Sequence, residues 1–120
     1  MAVVLIVEDE FYIRTSAEWI IGDLGHTVLT ASDLSEALAH LTMAGPIDAL
    51  FVDIRLDRNA LGGYDVADQA LALWPDLKVL YTSGASLNAA MQERFVRDGR
   101  FIQKPYSSAQ LEASIETLLH

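Results

Sequence analysis

Five short apolar runs punctuate the chain: "VVLIV" at 3–7, "TVLTA" at 27–31, "ALFV" at 49–52, "KVLYT" at 78–82 and "RFIQ" at 100–103. Three of them are nearly continuous in apolar residues, the pattern of parallel strands covered on both faces. Between the runs the period changes to that of a helix. Ile13, Ala17, Ile20, Ile21 and Leu24 form a stripe that Gly25 stops. Leu34, Ala37, Leu38 and Leu41 form a second, with Asp33 as N-cap and Glu36 three residues on. Ala67, Ala70, Leu71 and Trp74 make a third, ended by Pro75. Leu87, Met91 and Phe95 give the fourth and weakest stripe, closed by Asp98-Gly99. The fifth, Leu111, Ile115, Leu118 and Leu119, stands behind Ser107-x-x-Gln110, a capping-box spacing.

Each crossover has room for one helix and little more, so the strands should run parallel with right-handed connections. The expected fold is α/β: a (βα)5 doubly wound sandwich with strand order 2-1-3-4-5, flavodoxin-like. No internal repeat, linker or low-complexity tract interrupts the 120 residues, which read as a single domain spanning 1–120. The start at Met1 fits a natural N-terminus.

Composition narrows the chemistry. The chain is 52% hydrophobic and 21% charged, a globular balance, and it has no cysteine, which excludes disulfides and thiolate metal sites and fits a reducing compartment. No signal peptide opens it, and no apolar run approaches the roughly 20 residues of a membrane helix, so a cytoplasmic location and no membrane partner are expected. A net charge of −9 argues against direct nucleic-acid binding, which needs lysine and arginine against phosphates. The charge is uneven. Through Asp76 only Arg14, Arg55 and Arg58 oppose the acids, whereas four of the eight basic residues fall between Arg94 and Lys104.

Ligands in such sheets bind at the carboxyl ends of the strands, where strand order reverses. The first run ends in Glu8 and Asp9, the third in Asp53, the fourth in Thr82 and the fifth in Lys104. Taken singly, each has a plain role: an acid after a strand caps a helix, a lysine faces solvent, a threonine bonds to backbone. Jointly, four strand ends supply one rim, because strands one and three are neighbours in the expected order. Glu10 should point away and begin the first helix, where the dipole favours negative charge. Clustered carboxylates, with His26, His40 and His120 scattered elsewhere, suit a hard divalent cation: Mg²⁺, with Mn²⁺ as the alternative. A metal, a lysine and a hydroxyl around one carboxylate make a phosphoryl-transfer arrangement.

These residues resemble the receiver domain of two-component response regulators over essentially the whole chain. The likeness rests on "VEDE" after the first strand, Asp53 after "ALFV", Thr82 in "YTSG" and Lys104-Pro105 in "FIQKPY". The resemblance implies that Asp53 accepts a phosphoryl group from a histidine of a bacterial sensor kinase or phosphotransfer protein. It implies that Asp9, Asp53 and the backbone carbonyl of Arg55 hold Mg²⁺, with Glu8 acting through water. Thr82 and Lys104 would bind phosphoryl oxygens, and Thr82 with Phe101 would form the switch. The face of the fourth helix, fifth strand and fifth helix would meet a downstream protein or a second copy, with Arg94, Arg97 and Arg100 upon it.

Two departures stand out. The stretch "DIRLDRNALGGYDVA" lacks the family's proline, and Gly62 and Gly63 come later than its usual glycine, so the loop should be longer or differently shaped. Arg55 is a bulky cation two residues after the acceptor, while Gly84 leaves the position after Thr82 and Ser83 empty; both bear on the lifetime of the acyl phosphate. Two other readings compete with a phosphoacceptor that is not an enzyme. An Mg²⁺-dependent aspartyl-phosphate phosphatase would need an acid where Arg55 stands and a cap over its substrate. A receiver-like interaction module that has lost phosphorylation normally lacks an acid, the acceptor or the lysine, and all are present here.

Overall fold

The computed structural model describes residues 1–56, 59 and 61–120. The strands are β1 (Val3–Val7), β2 (Thr27–Ala31), β3 (Ala49–Asp53), β4 (Lys78–Ser83) and β5 (Arg100–Gln103). The helices are α1 (Phe11–Asp23), α2 (Leu34–Met43), α3 (Gly62–Leu73), α4 (Ala89–Arg94) and α5 (Ser108–Leu119). All strands pair parallel in one sheet of order β2-β1-β3-β4-β5, as the alternating periods require.

Side chains alternate across that sheet and build two cores. Leu5, Val7, Leu50, Val52, Val79 and Tyr81 face α2 and α3. Val4, Ile6, Phe51, Leu80 and Ile102 face α1 and α5 through Ala17, Ile21, Leu111 and Ile115. Double coverage explains why β1 and β3 read as unbroken apolar runs. The expected punctuation holds as well. Asp33 accepts the Glu36 N–H at 2.8 Å, Ser107 and Gln110 form a reciprocal capping box, and Gly25 turns the chain at φ 97°.

The fourth helix differs from its expected stripe. Asn88 caps it by accepting the Met91 N–H at 2.9 Å, which leaves Leu87 outside. The chain turns extended at Phe95 (φ −67°, ψ 143°), so α4 has only 6 residues and none is buried. Leu87, Met91 and Phe95 are therefore not one helical face; cap geometry overrode their spacing. Trp74 likewise lies past the end of α3, where its indole N–H donates to the Leu41 carbonyl at 2.8 Å. In the loop after β3, residues 57, 58 and 60 lie outside the described residues, so its expected extra length is not addressed there. No helix among the described residues is long and apolar enough to cross a membrane.

Candidate functional site

Register assembles the rim. Val7 lies beside Val52 and Asp53 beside Thr82, so the residues following β1, ending β3 and closing β4 arrive together. Backbone bonds hold these ends in place: Ile54 N–H donates to the Thr82 carbonyl at 2.9 Å, and Lys104 N–H to the Ser83 carbonyl at 2.9 Å. Three buried polar residues meet there: Glu8, Asp53 and Thr82, respectively 3%, 6% and 2% exposed.

Lys104 reaches in from the end of β5. Its Nζ lies 2.6 Å from Glu8 Oε1 and 2.9 Å from Asp53 Oδ2. Burial by itself would lower the lysine's pKa, but bonds to the two carboxylates outweigh it and leave Lys104 raised. Glu8 is pushed up to about 7, first by burial and further by Asp53, more than Lys104 offsets. The other Asp53 oxygen, Oδ1, accepts the Arg55 N–H at 3.2 Å.

Glu8, Asp9 and Asp53 each bring a carboxylate oxygen to within 4.8 Å of the others, with Asp9 exposed at the mouth. An all-oxygen set of this charge fits a hard divalent cation such as Mg²⁺. The Thr82 hydroxyl lines the same crevice as Glu8 and Asp53, buried and without a hydrogen-bond partner among the described residues. An unsatisfied buried hydroxyl costs about 1–3 kcal/mol, which a ligand oxygen would relieve. Above Asp53 an open depression of about 680 Å³ is lined by Asp9, Arg55, Gly84, Met91 and Lys104. A Cβ built on Gly84 would meet nothing within 4 Å, so that side stays open.

Glu10 begins α1 at the N-cap position as expected, exposed and without a side-chain cap bond, but it does not keep apart: it lines the depression above Asp53 beside Asp9. Phe101 is half-buried on the sheet face opposite Thr82. Arg100 lines a groove with Phe95, Phe101, Ala113 and Thr117, between α4, β5 and α5. Arg94 leaves that face; its guanidinium sits 4.6 Å from the Tyr64 ring centroid on α3.

Several contributors were given no place at the rim from the sequence. Arg14 donates from Nη1 to the Glu8 carbonyl at 2.8 Å, and its place one turn into α1 was the available signal. Tyr106 packs edge-on to Phe51 at 5.9 Å beside the crevice, and burial pushes its phenol up to about 12. Gly63 lies so close to the end of β3 that a Cβ there would be 2.2 Å from the Asp53 carbonyl oxygen. No one-dimensional pattern announces that contact.

The family model of the response regulator receiver domain matches residues 4–116. The chain belongs to the response regulator receiver family. Among curated relatives of this receiver, Protein PilG of Pseudomonas aeruginosa is 29% identical over 118 residues, covering 94% of this chain and 84% of PilG. Among solved structures, a response regulator receiver protein from Sinorhizobium medicae WSM419 superposes with a TM-score of 0.87 at 28% identity, covering 98% of this chain and 94% of that one. NtrX from Brucella abortus, in complex with ADP, is similar at 32% identity and a TM-score of 0.85; the match covers 98% of this receiver but 27% of NtrX.

Proposed function

We propose that this receiver accepts a phosphoryl group on Asp53 from a phosphohistidine of a sensor kinase or phosphotransfer protein. The observation that carries the reading is the Lys104 ammonium held between Glu8 and Asp53, 2.6 and 2.9 Å away, beside a buried hydroxyl with no partner among the described residues. An Asp53 carboxylate oxygen attacks phosphorus, the P–N bond breaks, and its electron pair returns to the imidazole. Lys104 then exchanges a carboxylate partner for a phosphoryl oxygen, and the Thr82 hydroxyl donates to another.

Asp9, Asp53 and the Arg55 carbonyl, with Glu8 through water, would hold Mg²⁺, which supplies charge neutralisation for the transferring group. The domain acts as a phosphoacceptor rather than a turnover enzyme, with at most slow self-dephosphorylation, and Arg55 and Gly84 set the access of water. Its output is a change in protein binding at the groove between α4, β5 and α5. Intact mass after incubation with acetyl phosphate and Mg²⁺ tests the central claim. One added phosphoryl group is expected, absent without Mg²⁺ and absent from Asp53→Asn; full phosphorylation of Asp53→Asn would refute it.

A further inference from the structure

Thr82 and Phe101 do not share a face of the sheet. Thr82 stands beside Ile102 in the register and lines a crevice with Ile6, Ala17 and Phe51, on the side of α1 and α5. Phe101 packs on the other side, with its ring centroid 6.2 Å from that of Phe95. A path from the Thr82 side chain to the C-terminal end of α4 crosses the sheet, whereas Met91 on its first turn lines the depression above Asp53 directly.

Tyr81 makes that crossing. It precedes Thr82 in β4, so the alternation of the strand sends its ring toward α3 and α4, where it is fully buried. The ring stacks on Phe95 at 4.3 Å and 12°. Its hydroxyl accepts the Val96 N–H at 2.9 Å, just past the end of α4. Gly99 leaves room for the ring edge, since a Cβ there would lie 2.9 Å from Tyr81 Cε2. Helix α4 buries no residue of its own, so its C-terminal end is anchored through Phe95 and Val96 to this tyrosine.

We infer that Tyr81 is a positioning residue, beside Phe101, that transmits the state of Thr82 to the C-terminal end of α4. The inference rests on the phosphoacceptor reading of Asp53. The peptide between residues 81 and 82 is planar and stiff, so a displacement of Thr82 toward a phosphoryl oxygen is passed to the Tyr81 backbone. The Tyr81 ring is tightly packed and cannot deform smoothly, and lengthening its 2.9 Å hydrogen bond weakens its hold on Val96. Movement of Thr82 therefore loosens or re-seats the end of α4.

The test compares wild type, Tyr81→Phe and Phe101→Ala by amide NMR, with and without beryllofluoride and Mg²⁺, alongside intact mass after acetyl phosphate. Tyr81→Phe keeps the ring and its volume and removes only the hydroxyl. In it the Val96 amide should exchange with solvent roughly tenfold faster, having lost its buried acceptor. Beryllofluoride-induced shifts at residues 89–99 should fall by about half or more, while those around Asp53 and Thr82 and the phosphoryl uptake persist. Phe101→Ala should keep a measurable part of the response at 89–99. An unaltered response there in Tyr81→Phe, or its loss only in Phe101→Ala, overturns the inference. A wild type without mass gain or shifts near Asp53 refutes the phosphoacceptor reading, and this coupling with it.

Discussion

Gly63→Ala sets two physical effects against each other with opposite signs. Helix propensity alone favours alanine over glycine within α3 by up to about 1 kcal/mol. Packing opposes it. The new Cβ would lie 2.2 Å from the Asp53 carbonyl oxygen, 2.6 Å from Ile54 Cα and 2.8 Å from the Asp53 carbonyl carbon. Comfortable carbon contacts begin near about 3.5 Å, so the helix has to retreat by roughly 1 Å. The obstructing atoms are backbone and cannot rotate aside. Retreat would also strain the bond from the Gly63 N–H to the Ile54 carbonyl, now 2.8 Å, and the packing of Tyr64 and Ala67 beneath α3. Overpacking of this kind costs about 1–3 kcal/mol, which in a chain of this size lowers the melting temperature by about 4–12 °C. Gly62→Ala is the control: its Cβ would stand 3.1 Å from Leu56 Cβ, a side-chain atom with more freedom to yield. Thermal melts of the three proteins, with acetyl phosphate uptake followed by intact mass, decide the matter. Gly63→Ala should melt lowest and, on the proposed function, load Asp53 more slowly, because the displaced backbone is that of Asp53. A variant that melts at or above wild type and loads at the same rate would refute the steric argument and leave propensity in charge.

Other predictions follow from the charges. Glu8 is raised from 4.5 to about 7 in the folded protein, so between those values the folded state holds a proton that the unfolded chain has released. Metal-free wild type should therefore lose stability relative to Glu8→Gln as pH rises from 4.5 to about 7; a flat difference between their melts would count against the buried acid. Lys104→Met removes the cation between two buried carboxylates, and its destabilisation should widen as pH rises above about 7, where Glu8 is charged in wild type but still protonated in the variant. Melts at pH 6 and 8 test this, and an equal loss at both would show that Glu8 does not sense the lysine. Arg55→Ala should change the dephosphorylation rate several-fold with little effect on Mg²⁺ affinity, because on the proposed function only the backbone carbonyl of Arg55 would meet the metal. An unchanged decay of the phosphorylated mass would return Arg55 to the solvent.

The order of elements, the parallel sheet and the rim of Glu8, Asp9, Asp53, Thr82 and Lys104 were legible because they depend on local periodicity and on which strand ends are neighbours. Asp33 and Ser107 were legible as caps for the same reason: an N-cap acts on a backbone N–H two or three residues away. Helix α4 was not. The spacing of Leu87, Met91 and Phe95 suits a helix, but the cap at Asn88 and the Val96 N–H captured by Tyr81 cut the helix short. Arg94 was expected with the other arginines, yet the face of Tyr64 on the neighbouring helix draws it away.

What the sequence determined by itself is therefore the set of groups at the carboxyl end of the sheet and the family to which they belong. Residue type and spacing are enough for that, since a strand end and a cap are properties of a few consecutive residues. Tertiary structure alone decided that Lys104 bridges Glu8 and Asp53, that Gly63 rests on the Asp53 backbone, and that the Tyr81 hydroxyl accepts the Val96 N–H. Those contacts join residues 10 to 96 positions apart, and their geometry follows from strand register and the packing of helices on the sheet. Neither leaves a trace in local pattern, because the same apolar run would fold as readily with its side chains facing either core.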